Sequence, residues 1–135
     1  MWSYLSNLLI AGNAGIMVFF TVAVAPTIFT ALPPQWSAAY VRKFFPKYFL
    51  FLGVTTAAAA VLEMVSGMDL IRQSALLACA LIFFVNCFWL TPRINQASDD
   101  KQPSTFKVLH WISVGLNMAQ LLIFIWLLIP IGRAL

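Results

Sequence analysis

Four long apolar stretches constrain this chain more strongly than any other feature of its sequence. They cover approximately residues 3–32, 44–66, 70–91 and 106–130, and the first contains no charged side chain. A helix needs about 20 residues to cross the hydrocarbon core of a bilayer, so each stretch is long enough. Lipid cannot satisfy backbone polar groups, which makes each crossing helical. The sequence therefore predicts a single all-α domain, an integral membrane antiparallel four-helix bundle.

The composition supports the same class of protein. Hydrophobic residues make up 62% of the chain and charged residues only 9%, whereas soluble domains carry about 25% charged residues. A soluble fold of this size cannot bury so much apolar surface, which argues against a soluble enzyme domain and against a disordered tail. The net charge of +4 is explained by the membrane flanks. We therefore expect the lipid bilayer as a partner and no nucleic acid.

Prolines and polar residues predict where the helices end. The Leu-Pro-Pro sequence at residues 32–34 should end the first helix, because proline lacks a donor and disfavours helix in the preceding residue. Pro92 follows the third stretch, and residues 98–104 read as a polar loop. The short link at residues 67–69 predicts a tight antiparallel pair. Pro26 lies inside the first stretch and predicts a kink that frees a carbonyl.

The basic residues predict the orientation in the membrane. Residues 23–25 resemble a signal-peptide cleavage site, but no basic residue precedes them, so we expect the first stretch to be retained. Lysine and arginine accumulate on cytoplasmic loops, which predicts that the first and third loops are cytoplasmic and both termini non-cytoplasmic. Six basic residues flank those two loops, against two elsewhere: Arg42, Lys43, Lys47, Arg93, Lys101 and Lys107, against Arg72 and Arg133.

Polar residues at membrane depth are the candidate functional residues. On the fourth stretch they are spaced by three, four and three residues, which places them on one helical stripe. Such groups usually face the bundle interior or a cavity, so we predict a polar pocket open to the cytoplasm. Asparagine and serine could equally form bonds between helices. The candidate ligand-binding residues are His110, Ser113, Asn117, Gln120, Asn13, Asn86, Arg93 and Glu63.

Several of these residues have more than one interpretation. His110 could ligate a metal or haem, carry a proton or form a structural hydrogen bond. Glu63 could be a paired carboxylate or a proton- or cation-linked acid, and Arg93 could anchor at lipid phosphates or close the pocket. Cys79 and Cys87 read as buried free thiols. Too few donors lie at one depth for a dedicated zinc site, and haem with one axial histidine stays open.

Four short motifs in the chain resemble the transmembrane protein 205-like family. The resemblance implies a compact four-helix membrane protein of a kind found in bacteria and eukaryotes. If the source is a bacterium, we expect a multi-pass protein of the inner membrane. It also implies handling of a small molecule or metal complex. The motifs are residues 25–33 (Ala-Pro-Thr-Ile-Phe-Thr-Ala-Leu-Pro), 45–48 (Phe-Pro-Lys-Tyr), 90–95 (Leu-Thr-Pro-Arg-Ile-Asn) and 106–110 (Phe-Lys-Val-Leu-His), with Ser113 and Asn117.

Three functional hypotheses follow from the sequence. The first is binding or transport of a small molecule or metal complex in the polar pocket. Transport by a protein of only four spans would require a homo-oligomer to form the pathway. The second is a membrane redox subunit that binds haem or a quinone beside His110. The third is an accessory subunit of a larger complex, with small residues at 57–60 and Gly53 forming a contact face. No catalytic sequence motif favours an enzyme, and we predict no catalytic residue.

Overall fold

The computed structural model of the chain describes residues 1–67 and 69–129. Within these residues it contains four long helices and no strand: α1 (Trp2–Ala31), α2 (Pro34–Ser66), α3 (Leu70–Asp99) and α4 (Pro103–Leu128). Helices of 26 to 33 residues extend roughly 40–50 Å, which exceeds the hydrocarbon thickness of about 30 Å. The prediction of an all-α chain with four potential membrane spans is confirmed, and it indicates an integral membrane protein.

The connection between α1 and α2 is shorter than predicted. Leu32 and Pro33 are extended, with ψ of 141° and 151°, so α1 ends where the Leu-Pro-Pro sequence predicts. However, α2 begins at Pro34 and not near residue 44. Proline is well suited to the first turn of a helix, because the N–H it lacks would have no partner there. The basic residues that suggest a loop therefore lie on a helix that extends beyond the apolar stretch.

A π-helical turn precedes the prolines within α1 and α3. The two turns, Phe20–Val24 and Asn86–Leu90, are each closed by a hydrogen bond between residues five apart. After the wider turn, Pro26 and Pro92 occupy the first turn of a new α-helical segment, where a missing N–H costs little. The helices therefore continue through both prolines.

This geometry corrects the predicted end of the third helix. We expected it to end near residue 91 with a polar loop from residue 98, but α3 continues to Asp99. The loop is only residues 100–102, where Lys101 has a φ of +52° and the Gln102 N–H donates to the Ala97 carbonyl.

Near Pro26, the Thr27 hydroxyl donates to the Ala23 carbonyl over 2.7 Å. This acceptor is not the Val22 carbonyl, which a proline at position 26 would leave without its usual donor in an α-helix.

A glycine ends α2 and an aspartate begins α3. Gly67 has a φ of +68°, a left-handed conformation that glycine adopts without strain. Its N–H donates to the carbonyls of Glu63 and Met64. The Asp69 side chain accepts from the Ile71 N–H over 2.9 Å, which is a helix N-cap. Of the positions used in the sequence predictions, Met68, Pro130 and Arg133 lie outside the described residues.

The bundle is apolar inside and outside. Large side chains such as Met17, Phe83 and Phe124 are fully buried between the helices, whereas Phe88 and Leu122 are about two-thirds exposed. An extensive exposed apolar surface is unusual for a soluble monomer and is the surface that lipid would cover.

The small residues of α2 pack inside the bundle. Ala59 and Ala60 are fully buried, and a Cβ atom at Gly53 would lie 2.9 Å from the Phe84 ring on α3. Gly53 therefore allows α2 and α3 to approach closely. The contact face predicted at Gly53 and residues 57–60 is used largely within the chain, since Ala58 is exposed but its two C-terminal neighbours are not.

Candidate ligand-binding site

Asn13 joins α1 to α2 through hydrogen bonds of its side chain. Its amide nitrogen donates to the Thr56 hydroxyl over 3.0 Å, and its carbonyl oxygen accepts from the Thr55 hydroxyl over 2.9 Å. Two turns earlier, the Ser6 hydroxyl donates to the Ala59 carbonyl over 3.1 Å. Both Ser6 and Asn13 are buried. These bonds hold two helices together and satisfy polar groups that are buried inside the bundle.

Three further candidate residues join α3 to α4. The Ser113 hydroxyl donates to the carbonyl oxygen of the Asn86 side chain over 3.0 Å, and the Asn86 amide donates to the Ile82 carbonyl over 3.3 Å. The Gln120 amide donates to the Cys79 carbonyl over 2.9 Å. The Gln120 side-chain oxygen is buried and has no hydrogen-bond partner among the described residues.

A cavity of about 530 Å³ lies at the end of the bundle where α1 connects to α2 and α3 connects to α4. All four helices contribute to its walls, which are mainly aromatic and aliphatic with a few polar side chains. His110, Ser113 and Asn117 are the three sequence-predicted residues that line this cavity. Asn13, Asn86, Gln120, Arg93 and Glu63 are not part of its lining.

One wall of the cavity is a cluster of aromatic rings around Tyr48. Its ring centroid lies 5.1 Å from that of Phe20 on α1 and 5.2 Å from that of Phe49. Phe44 stacks on Phe20 at 5.0 Å, and Phe45 lies edge-on to Tyr48 at 6.2 Å. Sequence reasoning missed this cluster. The signal was present, because two pairs of aromatic residues spaced by four, at 44–48 and 45–49, must share a helix face.

Tyr48 and Asn117 bring unsatisfied polar atoms to the cavity. The Tyr48 hydroxyl and the Asn117 side-chain oxygen are both buried, and neither has a hydrogen-bond partner among the described residues. The Asn117 side chain lies close enough to the Tyr48 hydroxyl to interact with it, but the two do not meet the distance and angle criteria for a hydrogen bond. Only 6% of the Tyr48 surface is exposed. Unsatisfied buried polar groups are rare in native proteins and often indicate an absent partner.

An ion pair forms part of the rim of the cavity. The Arg42 guanidinium donates two hydrogen bonds to the Asp99 carboxylate, over 2.7 and 3.3 Å, and one to the Asn95 carbonyl over 3.2 Å. Both charged side chains are about half exposed. The pair joins the first turns of α2 to the last turn of α3 at the edge of the opening. Arg42 was assigned to topology alone in the sequence analysis.

His110 and Arg93 both contact aromatic rings near this end of the bundle. The His110 ring stacks on Phe106 with a centroid separation of 5.8 Å and lies edge-on to Trp111 at 6.2 Å. His110 is exposed, so it lies at the rim and not deep in the cavity. The Arg93 guanidinium lies 4.4 Å from the centre of the Trp89 ring, a cation–π contact on the outer surface of α3.

Glu63 lies at the opposite end of the bundle, in an ion pair with Arg72. One oxygen of Glu63 accepts from Arg72 over 3.0 Å, and both side chains are buried. Arg72 also donates to the Leu127 carbonyl over 2.6 Å and to the Asn7 side chain over 2.8 Å. The second Glu63 oxygen has no partner among the described residues. The sequence analysis considered a paired Glu63 carboxylate but predicted neither the burial of the pair nor its links to α1 and α4.

The described residues offer few side chains that could bind one metal ion together. Within residues 1–67 and 69–129, no three His, Cys, Asp or Glu side chains lie close enough to hold a metal together. Cys79 and Cys87 are buried free thiols, and the Cys87 thiol donates to the Pro46 carbonyl over 3.3 Å.

Comparison with known proteins identifies one family. The family described as "Domain of unknown function (DUF4149)" matches residues 8–103, which include α1, α2 and α3 almost entirely. No curated protein and no solved structure matches the chain. Because the match covers well over half of the sequence, the chain belongs to the DUF4149 family.

Proposed function

We propose that this protein binds a small amphipathic molecule in the cavity between its four helices. The observation that carries the proposal is the cavity of about 530 Å³ with its largely apolar lining. Binding sites for small molecules and cofactors typically have volumes of about 300–1,000 Å³, apolar walls and a few polar groups that orient the ligand. The cavity fits this description in volume and in chemistry.

The arrangement of polar groups favours entry from the cytoplasm. The cavity opens at the end of the bundle that carries most of the basic residues, among them Arg42 and Lys107, and such residues mark the cytoplasmic side. At the other end, the buried Glu63–Arg72 pair occupies the space between the helices. We infer a site that faces the cytoplasm, in a multi-pass protein whose two termini are both non-cytoplasmic. In a bacterium, this protein would lie in the inner membrane.

Transport is a further step of the same proposal. Four helices are few to enclose a complete pathway across a membrane, so we infer that transport would require a homo-oligomer. The resemblance of the chain to the transmembrane protein 205-like family supports handling of a small molecule or a metal complex.

A second candidate is a site for haem or a quinone. The supporting observation is the His110 ring at the rim, stacked on Phe106 and next to Trp111, since flat ring systems stack on aromatic side chains. A bound haem or quinone would be recognised by its mass in the experiment below. Copurified protein subunits in the same measurement would instead favour an accessory role.

Native mass spectrometry of the detergent-purified protein tests the proposal. We expect a small-molecule adduct on the native protein and its loss in Val114→Trp, because Val114 lines the cavity and an indole would fill part of the volume. Leu122→Trp is the matched control, since it places the same side chain on the same helix at an exposed position. An adduct of equal occupancy in all three proteins would contradict binding in the cavity.

A further inference from the structure

Several polar side chains of the cavity wall already form hydrogen bonds within the protein. The Thr21 hydroxyl donates to the Met17 carbonyl over 2.8 Å, and the Ser37 hydroxyl donates to the Pro33 carbonyl over 3.0 Å. Ser113 donates to Asn86 over 3.0 Å. These hydroxyl protons are therefore committed to neighbouring protein atoms and are not available to a ligand.

Tyr48 and Asn117 differ from the other polar residues of the wall. They face each other from α2 and α4, and the Tyr48 hydroxyl and the Asn117 side-chain oxygen have no hydrogen-bond partner among the described residues. Aromatic rings surround the Tyr48 side chain, so water has little access to it. Leaving such atoms unpaired in an apolar site is costly.

The chemistry of the two atoms restricts what can satisfy both. The Asn117 oxygen can only accept a hydrogen bond, whereas the Tyr48 hydroxyl can donate one. A ligand carbonyl accepts only, so it would leave the Asn117 oxygen unpaired. An ether has the same limitation. A hydroxyl group donates to Asn117 and accepts from Tyr48 at the same time.

We propose that Tyr48 and Asn117 form a binding subsite for the hydroxyl group of an apolar alcohol or phenol. This inference rests on the proposed function and names the class of ligand. The hydroxyl lies between the two side chains, and the apolar body of the ligand packs against Phe20, Phe45 and Phe49, which line the same wall. Tyr48 is thus a ligand-binding residue that the sequence analysis did not include.

Equilibrium dialysis with two probes of similar size tests the subsite. The first probe is 1-naphthol, and the second is 1-methoxynaphthalene, a methyl ether that has no hydroxyl proton to donate. The Val114→Trp variant serves as the background control, because its uptake of each probe measures partition into detergent and non-specific binding. We expect the native protein to bind 1-naphthol about tenfold more tightly, the effect of roughly one hydrogen bond in an apolar site. Tyr48→Phe and Asn117→Leu should reduce this ratio to about one while still binding both probes.

The outcomes distinguish the inference from the proposed function. Equal binding of both probes to the native protein, above the Val114→Trp level, would overturn the hydroxyl subsite and leave the binding cavity in place. Equal binding is also the result expected if an ordered water molecule satisfies Tyr48 and Asn117. No binding of either probe above the Val114→Trp level would contradict both proposals.

Thermal unfolding in detergent checks that the variants fold. Because the Tyr48 hydroxyl has no partner within the described protein, Tyr48→Phe should not lower the melting temperature of the ligand-free protein. 1-Naphthol should raise the melting temperature of the native protein more than that of the variant. A melting temperature lowered by several degrees in ligand-free Tyr48→Phe would show a hydrogen bond within the protein and contradict the subsite.

Discussion

Arg72 contacts all three of the other helices through a single guanidinium group. It donates to Glu63 on α2, to Asn7 on α1 and to the Leu127 carbonyl on α4. Removing two charges from water is expensive, and a buried pair recovers this cost only with good geometry and additional hydrogen bonds. The additional donors and acceptors around Arg72 provide these bonds. The pair therefore fixes how the four helices meet at one end of the bundle.

Arg72→Met should destabilise the protein strongly, because it leaves the buried Glu63 carboxylate without its cation. We expect a loss of about 3–5 kcal/mol in the free energy of unfolding. Arg42→Met is the matched control, since the Arg42–Asp99 pair is about half exposed and such pairs contribute about 0–1 kcal/mol. Unfolding by SDS in mixed micelles measures both variants. Equal losses in the two variants would contradict a structural role specific to Arg72.

The helices combine regular α-helical ends with widened turns next to the cavity. Phe20 and Thr21 belong to the π turn of α1 and line the cavity, and Thr91 lines it directly after the π turn of α3. Because a π turn shifts the register of the following residues, it changes which side chains face inward beyond it. The two prolines and their π turns therefore help to shape the open end, whereas α2 and α3 pack closely at Gly53.

Gly53→Leu should disrupt the contact between α2 and α3. Even a Cβ atom at this position would lie 2.9 Å from the Phe84 ring, so a larger side chain must displace the ring or the helix, at a cost of roughly 1–3 kcal/mol. Gly115→Leu provides the comparison, since nothing lies within 4 Å of a Cβ there and the residue is exposed. The two melting temperatures in detergent decide the matter. A greater loss for Gly115→Leu would contradict the packing described.

At the scale of the molecule, the bundle is asymmetric from end to end. The Glu63–Arg72 pair holds the helices together at one end, and the cavity opens them at the other. The four helices were predictable from the sequence, because apolar length alone determines them. The end of α2 at Gly67 also follows from local backbone preferences, whereas its start at Pro34 was missed because the prediction followed the apolar stretch alone.

Other features required the three-dimensional structure. The extension of α3 through Pro92 was not predictable, since it depends on a π turn that the residue pattern does not reveal. The stripe on α4 could be identified by its spacing, but only helix rotation decides that Ser113 and Asn117 line the cavity while Gln120 bonds to Cys79. Which residues face each other across helices, such as Tyr48 and Asn117, depends on the same rotation.

Cysteine accessibility is the most direct test of an inward-facing cavity. In protein carrying Cys79→Ala and Cys87→Ala, Val114→Cys should react with a membrane-impermeant thiol reagent in inside-out vesicles and not in right-side-out vesicles. Ser98→Cys is exposed near the same end and should likewise react only in inside-out vesicles. Leu122→Cys should react in neither kind of vesicle. Reaction of Val114→Cys from the non-cytoplasmic side, or no reaction where Ser98→Cys reacts, would contradict the account.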